Sequence, residues 1–120
     1  MISRTFQVLA VWACLGLMGC APPSLYDWGQ YEDSLYTRQK DASELGQAEA
    51  FKMLEVMIQE ADAKNYRVPP GVYADYGYLL FKQGKPDQAI TYFRKEAVLY
   101  KESKYLMDSI ISRIEQRKPK

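Results

Sequence analysis

Apolar residues recur along this chain at helical rather than strand spacing, and the recurrences mark out successive segments. Tyr73, Tyr76, Gly77 and Leu80 share one face of a helix, and Ala89, Ile90, Phe93, Ala97 and Tyr100 share one face of the next. Between them, Gly84 suits the left-handed residue that closes a helix and Pro86 the opening turn of its successor, so residues 70–103 read as a helical hairpin. Upstream, Leu45, Ala48, Phe51, Leu54, Ile58 and Ala61, flanked by Met53 and Met57, form a stripe wide enough for two neighbours, in a helix running to about Lys64. Asp41 or Ser43 caps its start, with Glu44 placed as the reciprocal partner of a capping box. Ahead of it, Trp28, Tyr31, Leu35 and Arg38 fall on one side of a short helix. Val68 precedes a proline and so ends helical backbone, while Pro70 is placed to open the next helix. Ser103 is expected to cap a last helix from Lys104 to about Arg117, with Tyr105, Leu106, Ile110, Ile111 and Ile114 inward and Asp108, Arg113 and Gln116 outward. No segment alternates with period two for long enough to make a strand. The expectation is an all-α domain of about five helices over residues 26–120.

The first residues follow a different pattern. Met1 to Thr5 carries one positive charge, Arg4, and Phe6 to Met18 is almost unbroken apolar chain, too short for a permanent transmembrane helix. This is the layout of a secretory leader, residues 1–19. It ends in Leu17-Met18-Gly19-Cys20, which matches the lipobox of bacterial lipoproteins. There the Cys20 thiolate takes up a diacylglyceryl group, and a small residue at Gly19 lets the signal peptidase reach the bond to be cut. A further N-acyl chain (palmitate or similar) then completes the anchor. At about 0.8 kcal/mol per buried methylene, several such chains hold far more firmly than one myristoyl group. Residues 20–25 form a short Pro-rich tether, at most about 3.6 Å per residue. Ala21 stands where an aspartate would signal retention in the inner membrane, which points to the outer membrane with the domain facing the periplasm.

Charge and composition narrow the chemistry. There are 16 Lys and Arg against 15 Asp and Glu; losing Arg4 with the leader leaves 15 of each, and zero net charge gives no reason to expect nucleic acid. The basic tail of Arg113, Arg117, Lys118 and Lys120 reads as a solvated end. There is no histidine, and with Cys14 lost and Cys20 acylated no thiol pair remains. Carboxylates cluster at Asp27, Glu32 and Asp33 and again at Glu55, Glu60 and Asp62, but on polar faces beside Lys52 and Lys64. With no phosphate cradle and no metal spacing, neither catalysis, a metal, a cofactor nor a small-molecule substrate is expected.

The hairpin also has the layout of a tetratricopeptide repeat. Tyr73 stands at the Trp place, Tyr76-Gly77 at Leu-Gly, Leu80 at the Tyr place, then Ala89 and Phe93; Glu96 occupies the late Ala place and Lys101 replaces the terminal proline. On this layout Trp28 to Lys64 is a degenerate first repeat and the last helix a cap. Over nearly all of the mature part, the sequence resembles a family of small bacterial lipoproteins carrying a domain of unknown function. The residues that carry the resemblance are the lipobox at Cys20, Tyr26-Asp27-Trp28-Gly29 with Tyr31 to Tyr36, Val68-Pro69-Pro70-Gly71, Tyr73 to Tyr78, Gln83-Gly84-Lys85, Ala89-Ile90, Tyr92-Phe93 and Lys95-Glu96. Such proteins tend to have Trp-Pro-Glu-Ser where this chain has Tyr100-Lys101-Glu102-Ser103, which makes a looser turn the expectation there. Members are usually encoded beside a lipoprotein similar to the curli secretion channel, so the resemblance implies an outer-membrane assembly as partner.

All ten tyrosines follow Cys20. Repeat proteins bind along the groove lined by the first helix of each pair, where the hairpin offers Ala74, Tyr78, Phe81 and Lys82. Tyr78 and Phe81 fall outside the packing stripe, so exposed aromatic surface or burial against the preceding helix pair are the two outcomes. Trp28 and Tyr26, near the tether, are candidates either for partner binding or for the lipid headgroups. The expected function is a non-catalytic scaffold or accessory subunit of a secretion or envelope-assembly complex, with regulation of a periplasmic cell-wall enzyme as the alternative. The short tether argues against the latter, because such a regulator must reach the inner membrane.

Overall fold

The computed structural model describes residues 25–117, and the regular elements among them are all helical. Helix α1 spans Tyr31–Lys40, α2 Glu44–Lys64, α3 Val72–Lys82, α4 Pro86–Leu99 and α5 Lys104–Arg117, with a 3-10 turn at Lys101–Ser103 leading into α5. The leader 1–19 with Leu17, Met18 and Gly19, the acylation site Cys20, the tether up to residue 24, and the tail residues Lys118 and Lys120 lie outside the described residues.

Local chemistry sets where each helix stops. After α2, Asn65 takes the left-handed conformation at φ 55° and the Tyr66 amide donates back to the Ala61 carbonyl at 2.8 Å. After α3, Gly84 does the same at φ 75°, with the Lys85 amide on the Leu80 carbonyl and the Gly84 amide on the Phe81 carbonyl, each at 3.0 Å. Both closures satisfy carbonyls that a helix end would otherwise leave open. Pro86 opens α4 as expected. Ser43 caps α2, its hydroxyl accepting from the Gly46 amide, while Asp41 Oδ1 accepts from the Ser43 amide at 2.9 Å. Pro70, by contrast, does not open α3. It sits inside a turn closed by the Val72 amide on the Pro69 carbonyl, and Gly71 at φ 90° supplies the positive dihedral that such a turn requires at its third residue.

Successive helices run antiparallel, and one core joins α2 to α5: Leu54, Met57 and Ile58 meet Val72, Tyr76 and Leu80, then Ile90 and Phe93, then Met107, Ile111 and Ile114. Helices α3 and α4 pack tightly at Gly77. A Cβ there would stand 3.0 Å from Phe93 Cε1 and 3.1 Å from the Ala89 carbonyl oxygen, so small residues at 77 and 89 set the interhelical distance. An aromatic ladder ties three helices together, Phe51 stacking on Tyr76 and Tyr92 meeting Tyr76 edge-on, both at 4.6 Å between centroids.

Several inward residues of the sequence pattern turn out to face solvent. In α2, Leu45 and Ala48 are exposed, because the Ser43 cap turns Gly46 instead toward the preceding loop. A Cβ at Gly46 would lie 2.2 Å from the Asp41 carbonyl oxygen. In α5, Met107 replaces Tyr105 and Leu106 at the core, and Tyr105 is 87% exposed. The apolar surface of α5 is wider than its one neighbour, α4, can cover. Ser103 does not cap α5; its hydroxyl turns back to Glu96.

Glu96, at the place a repeat gives to alanine, is 1% exposed. Its Oε1 accepts from the Gly71 amide at 2.8 Å and from the Ser103 hydroxyl at 3.5 Å, while Oε2 makes no hydrogen bond of ordinary geometry among the described residues. One carboxylate thus joins the entry to α3, the body of α4 and the turn before α5. Beside it Tyr100 is buried, its hydroxyl donating to the Val68 carbonyl and its ring carrying the Arg67 guanidinium at 5.1 Å, so the 100–103 turn is pinned rather than loose. Burial raises the Glu96 pKa above its ordinary 4.5, against the pull of the Gly71 and Ala74 amides and the Ser103 hydroxyl. The folded state therefore holds this proton more tightly than the unfolded chain, and Glu96's contribution to stability falls as pH rises from about 4.5 through the folded value. Glu96→Gln keeps an acceptor for Gly71 without the charge, so urea titrations should show that fall in the wild type and not in the variant. Glu96→Ala also removes the acceptor and should cost about 1–3 kcal/mol; parallel pH profiles for wild type and Gln variant would contradict the account.

Candidate functional site

Helix α3 has two working faces. Tyr73, Tyr76 and Leu80 point into the core, while Ala74, Asp75, Tyr78, Phe81 and Lys82 face the side lined by α1 and α5. Tyr78 is 50% exposed and Phe81 38%, so the hairpin presents aromatic surface rather than burying it against the first helix pair. Lys82 Nζ sits 5.9 Å from the centre of the Tyr78 ring, on the same face one helical turn on.

Two hollows flank Tyr78. The larger, about 450 Å³, runs between α3 and α5, with Tyr78 and Phe81 facing Leu106 and Ile110 across a floor of Phe93 and Met107. Arg113 and Arg117 stand at its α5 rim. The smaller, about 360 Å³, runs toward α1 and the start of α2, lined by Leu35, Gln39, Ala42, Gln47 and Lys82. Tyr78, Phe81 and Lys82 are thus brought together on one apolar face that crosses α1, α3 and α5, with cations along its edges. Trp28 is not part of it. That ring lies at the opposite end of α1, packed at 5.6 Å on Tyr31 and 6.0 Å on Tyr26, beside a separate hollow with Tyr66 and Arg67.

What fixes α1 against α3 is a polar junction that the apolar pattern does not announce. Asp75 Oδ2 accepts from the Tyr31 hydroxyl at 2.9 Å and from Arg38 Nη2 at 3.0 Å, with both charged side chains largely shielded from water. Ser34, wholly buried between them, donates to the Tyr31 carbonyl at 2.7 Å. Burial, with Asp75 adding to it, pushes the Tyr31 phenol up to about 12. Leu106, expected inward, is exposed on the hollow, whereas Ile110 packs against the core and Arg113 faces outward as expected, and both also line the hollow; the excess width of the α5 stripe is the sequence signal for that wall.

The acidic clusters stay on polar surface. Glu32 and Asp33 are exposed in the first turn of α1, Asp27 accepts from the Gly29 amide, Glu55 accepts from the Tyr76 hydroxyl, and Glu60 pairs with Lys64. Among the described residues, no three Asp, Glu, Cys or His side chains gather as a metal site would require.

The family model described as a domain of unknown function, DUF4810, matches residues 25–110. No curated protein and no solved structure matches the chain.

The Asp75 junction yields a measurable coupling. A double-mutant cycle of Tyr31→Phe and Asp75→Asn, read by urea unfolding, should give an interaction energy of about 1 kcal/mol. Strict additivity would mean that the bond is not formed in solution.

Proposed function

We propose, from the premise that this chain belongs to the DUF4810 family, that it is a lipid-anchored, non-catalytic adaptor of the bacterial outer membrane. On this reading Cys20 carries the diacylglyceryl and N-acyl chains, the domain faces the periplasm, and the α1/α3/α5 face docks another envelope lipoprotein of a secretion or assembly complex. The curli-secretion-channel-like neighbour expected of such lipoproteins is the partner class proposed. The pairs α1–α2 and α3–α4 are read as tetratricopeptide-like units and α5 as the element that closes the stack. The close approach at Gly77, Ala89 and Phe93 supports that reading, since these are the repeat's small and aromatic places.

The observation that carries the proposal is the 450 Å³ hollow. Its walls are exposed Tyr78, Phe81 and Leu106, residues that a small domain has no folding reason to leave in water. Aromatic side chains in a concave site with charges at the rim are the usual anchors of protein recognition. Arg113, Arg117 and Lys82 favour a partner whose apolar contact is bordered by carboxylates.

Two measurements test this. Intact mass of the protein extracted from membranes should show the leader removed and acyl mass on Cys20; an unmodified thiol there would remove the anchor. In affinity isolation of the acylated protein, Tyr78→Ala and Lys82→Glu should each reduce recovery of a specific envelope lipoprotein, with the Tyr78 variant losing about tenfold or more, the loss typical of a central aromatic anchor. Unchanged recovery in both variants would exclude the groove.

A further inference from the structure

The end of the bundle that leads back to Cys20 carries an apolar surface of its own, distinct from the α3/α5 hollow. Leu25, Trp28 and Tyr66 are exposed by 87, 42 and 60%. With Tyr26, Asp27 and Arg67 they border a hollow of about 570 Å³. The rings are not loose. Tyr26 meets the buried Tyr100 edge-on at 6.3 Å, Trp28 leans on Tyr31, and Arg67 lies over the Tyr100 ring with its Nη2 donating to the Leu99 carbonyl at 2.8 Å. The fold therefore gives Tyr26, Trp28 and Arg67 a packed backing, with Leu25 and Tyr66 exposed beside them.

We infer that this end is a membrane-contacting face, with Leu25, Trp28 and Tyr66 seated at the headgroup level of the bilayer that holds Cys20. The inference rests on the anchoring part of the proposed function and is independent of the groove. Four residues separate Cys20 from Leu25, and the five steps from one to the other, at no more than about 3.6 Å each, allow at most about 18 Å between the backbone of the acylated cysteine and that of the first exposed residue. A cysteine acylated through glycerol sits at the boundary of headgroups and hydrocarbon, so this face cannot move far from the lipid surface. Tryptophan and tyrosine are the side chains that favour that depth, because each has an apolar ring and a polar edge. The hollow holds one base, Arg67, and one acid, Asp27, so ring partition rather than charge drives the contact, and moderate salt leaves it in place.

The mature chain offers a direct reporter. Trp12 leaves with the leader, which makes Trp28 the remaining tryptophan of the two in the sequence. Processed protein is reconstituted into phosphatidylethanolamine–phosphatidylglycerol vesicles, and its emission is compared with that of a chain carrying Trp28→Phe and Tyr78→Trp, whose indole lies on the groove side. The expected result is a blue-shifted Trp28 emission, strong quenching by lipids brominated near the headgroup, and severalfold weaker quenching by iodide than the groove reporter shows. Trp28 quenched by iodide as fully as the groove reporter, with no effect of brominated lipid, overturns the inference. Protection from iodide without quenching by brominated lipid means that a second copy covers the face, and overturns it as well. A chain with Trp28→Phe and Tyr66→Trp reads the same face from another position should the first reporter disturb packing. Vesicle flotation separates the two claims. Protein that floats while Trp28 stays in water refutes the seat alone; protein that fails to float, with Cys20 unmodified, refutes the anchor and the seat together.

Discussion

A single buried carboxylate sets the geometry on which the rest of this fold depends. Burying an acid without partners costs several kcal/mol, and Glu96 offsets that cost by meeting the Gly71 amide at the start of α3 and the Ser103 hydroxyl before α5. The amides at the start of α3 pull toward the charged form there, but burial outweighs them, so the site as a whole favours the protonated acid. From its place in α4, Glu96 therefore fixes the entry angles of both flanking helices. Tyr100 repeats the tie a turn later, reaching the Val68 carbonyl ahead of α3. Alanine at position 96 would pack two helices; glutamate there orients three segments.

That orientation has a consequence at the surface. With α3 and α5 held on one side of α4, the aromatic side chains of α3 face the apolar excess of α5 across an open hollow instead of closing onto each other. The Asp75 junction places α1 on the same side, so the exposed face continues past Tyr78 toward Leu35. Because successive helices are antiparallel, Gly71 and Trp28 lie at one end of the stack and Gly84 at the other. Tyr78 is seven residues into α3 from Gly71, about 10 Å along the axis. A lipid seat at the Trp28 end would leave the groove open to the side, clear of the headgroups and within reach of a neighbour in the same membrane.

Much of the architecture was legible because it is written in residues with few conformational options. Gly84, Pro86 and the Pro69-Pro70-Gly71 run mark the hairpin boundaries, and the stripe from Tyr73 to Leu80 marks its packed face. The misreadings came where tertiary context chooses among equivalent faces. In α5, Tyr105, Leu106, Ile110, Ile111 and Ile114 span more surface than one neighbour can bury, and the sequence does not say that Met107 centres the packed part. Leu45 looked like the start of the α2 stripe, but the Ser43 cap rotates Gly46 inward. Glu96 reads as a departure from a repeat, and both Glu96 and Asp75 stand among the residues that carry the family resemblance, but nothing in the sequence shows the junctions they form, because polar junctions have no period. Tyr78, Phe81 and Lys82 were found together because helical spacing alone places them on one face, whereas the opposite wall of the hollow required α5 to be in place.

We propose that the α3/α5 hollow is a recognition surface and not merely unfilled space. A photo-crosslinking amino acid placed at Leu106, on the wall contributed by α5, tests it most directly in intact cells, with Val98 on the exposed face of α4 as comparison. One discrete adduct with an envelope protein is expected from position 106 and none from position 98. The same adduct from both positions, or none from position 106 in cells where the chain is acylated, would contradict the proposal.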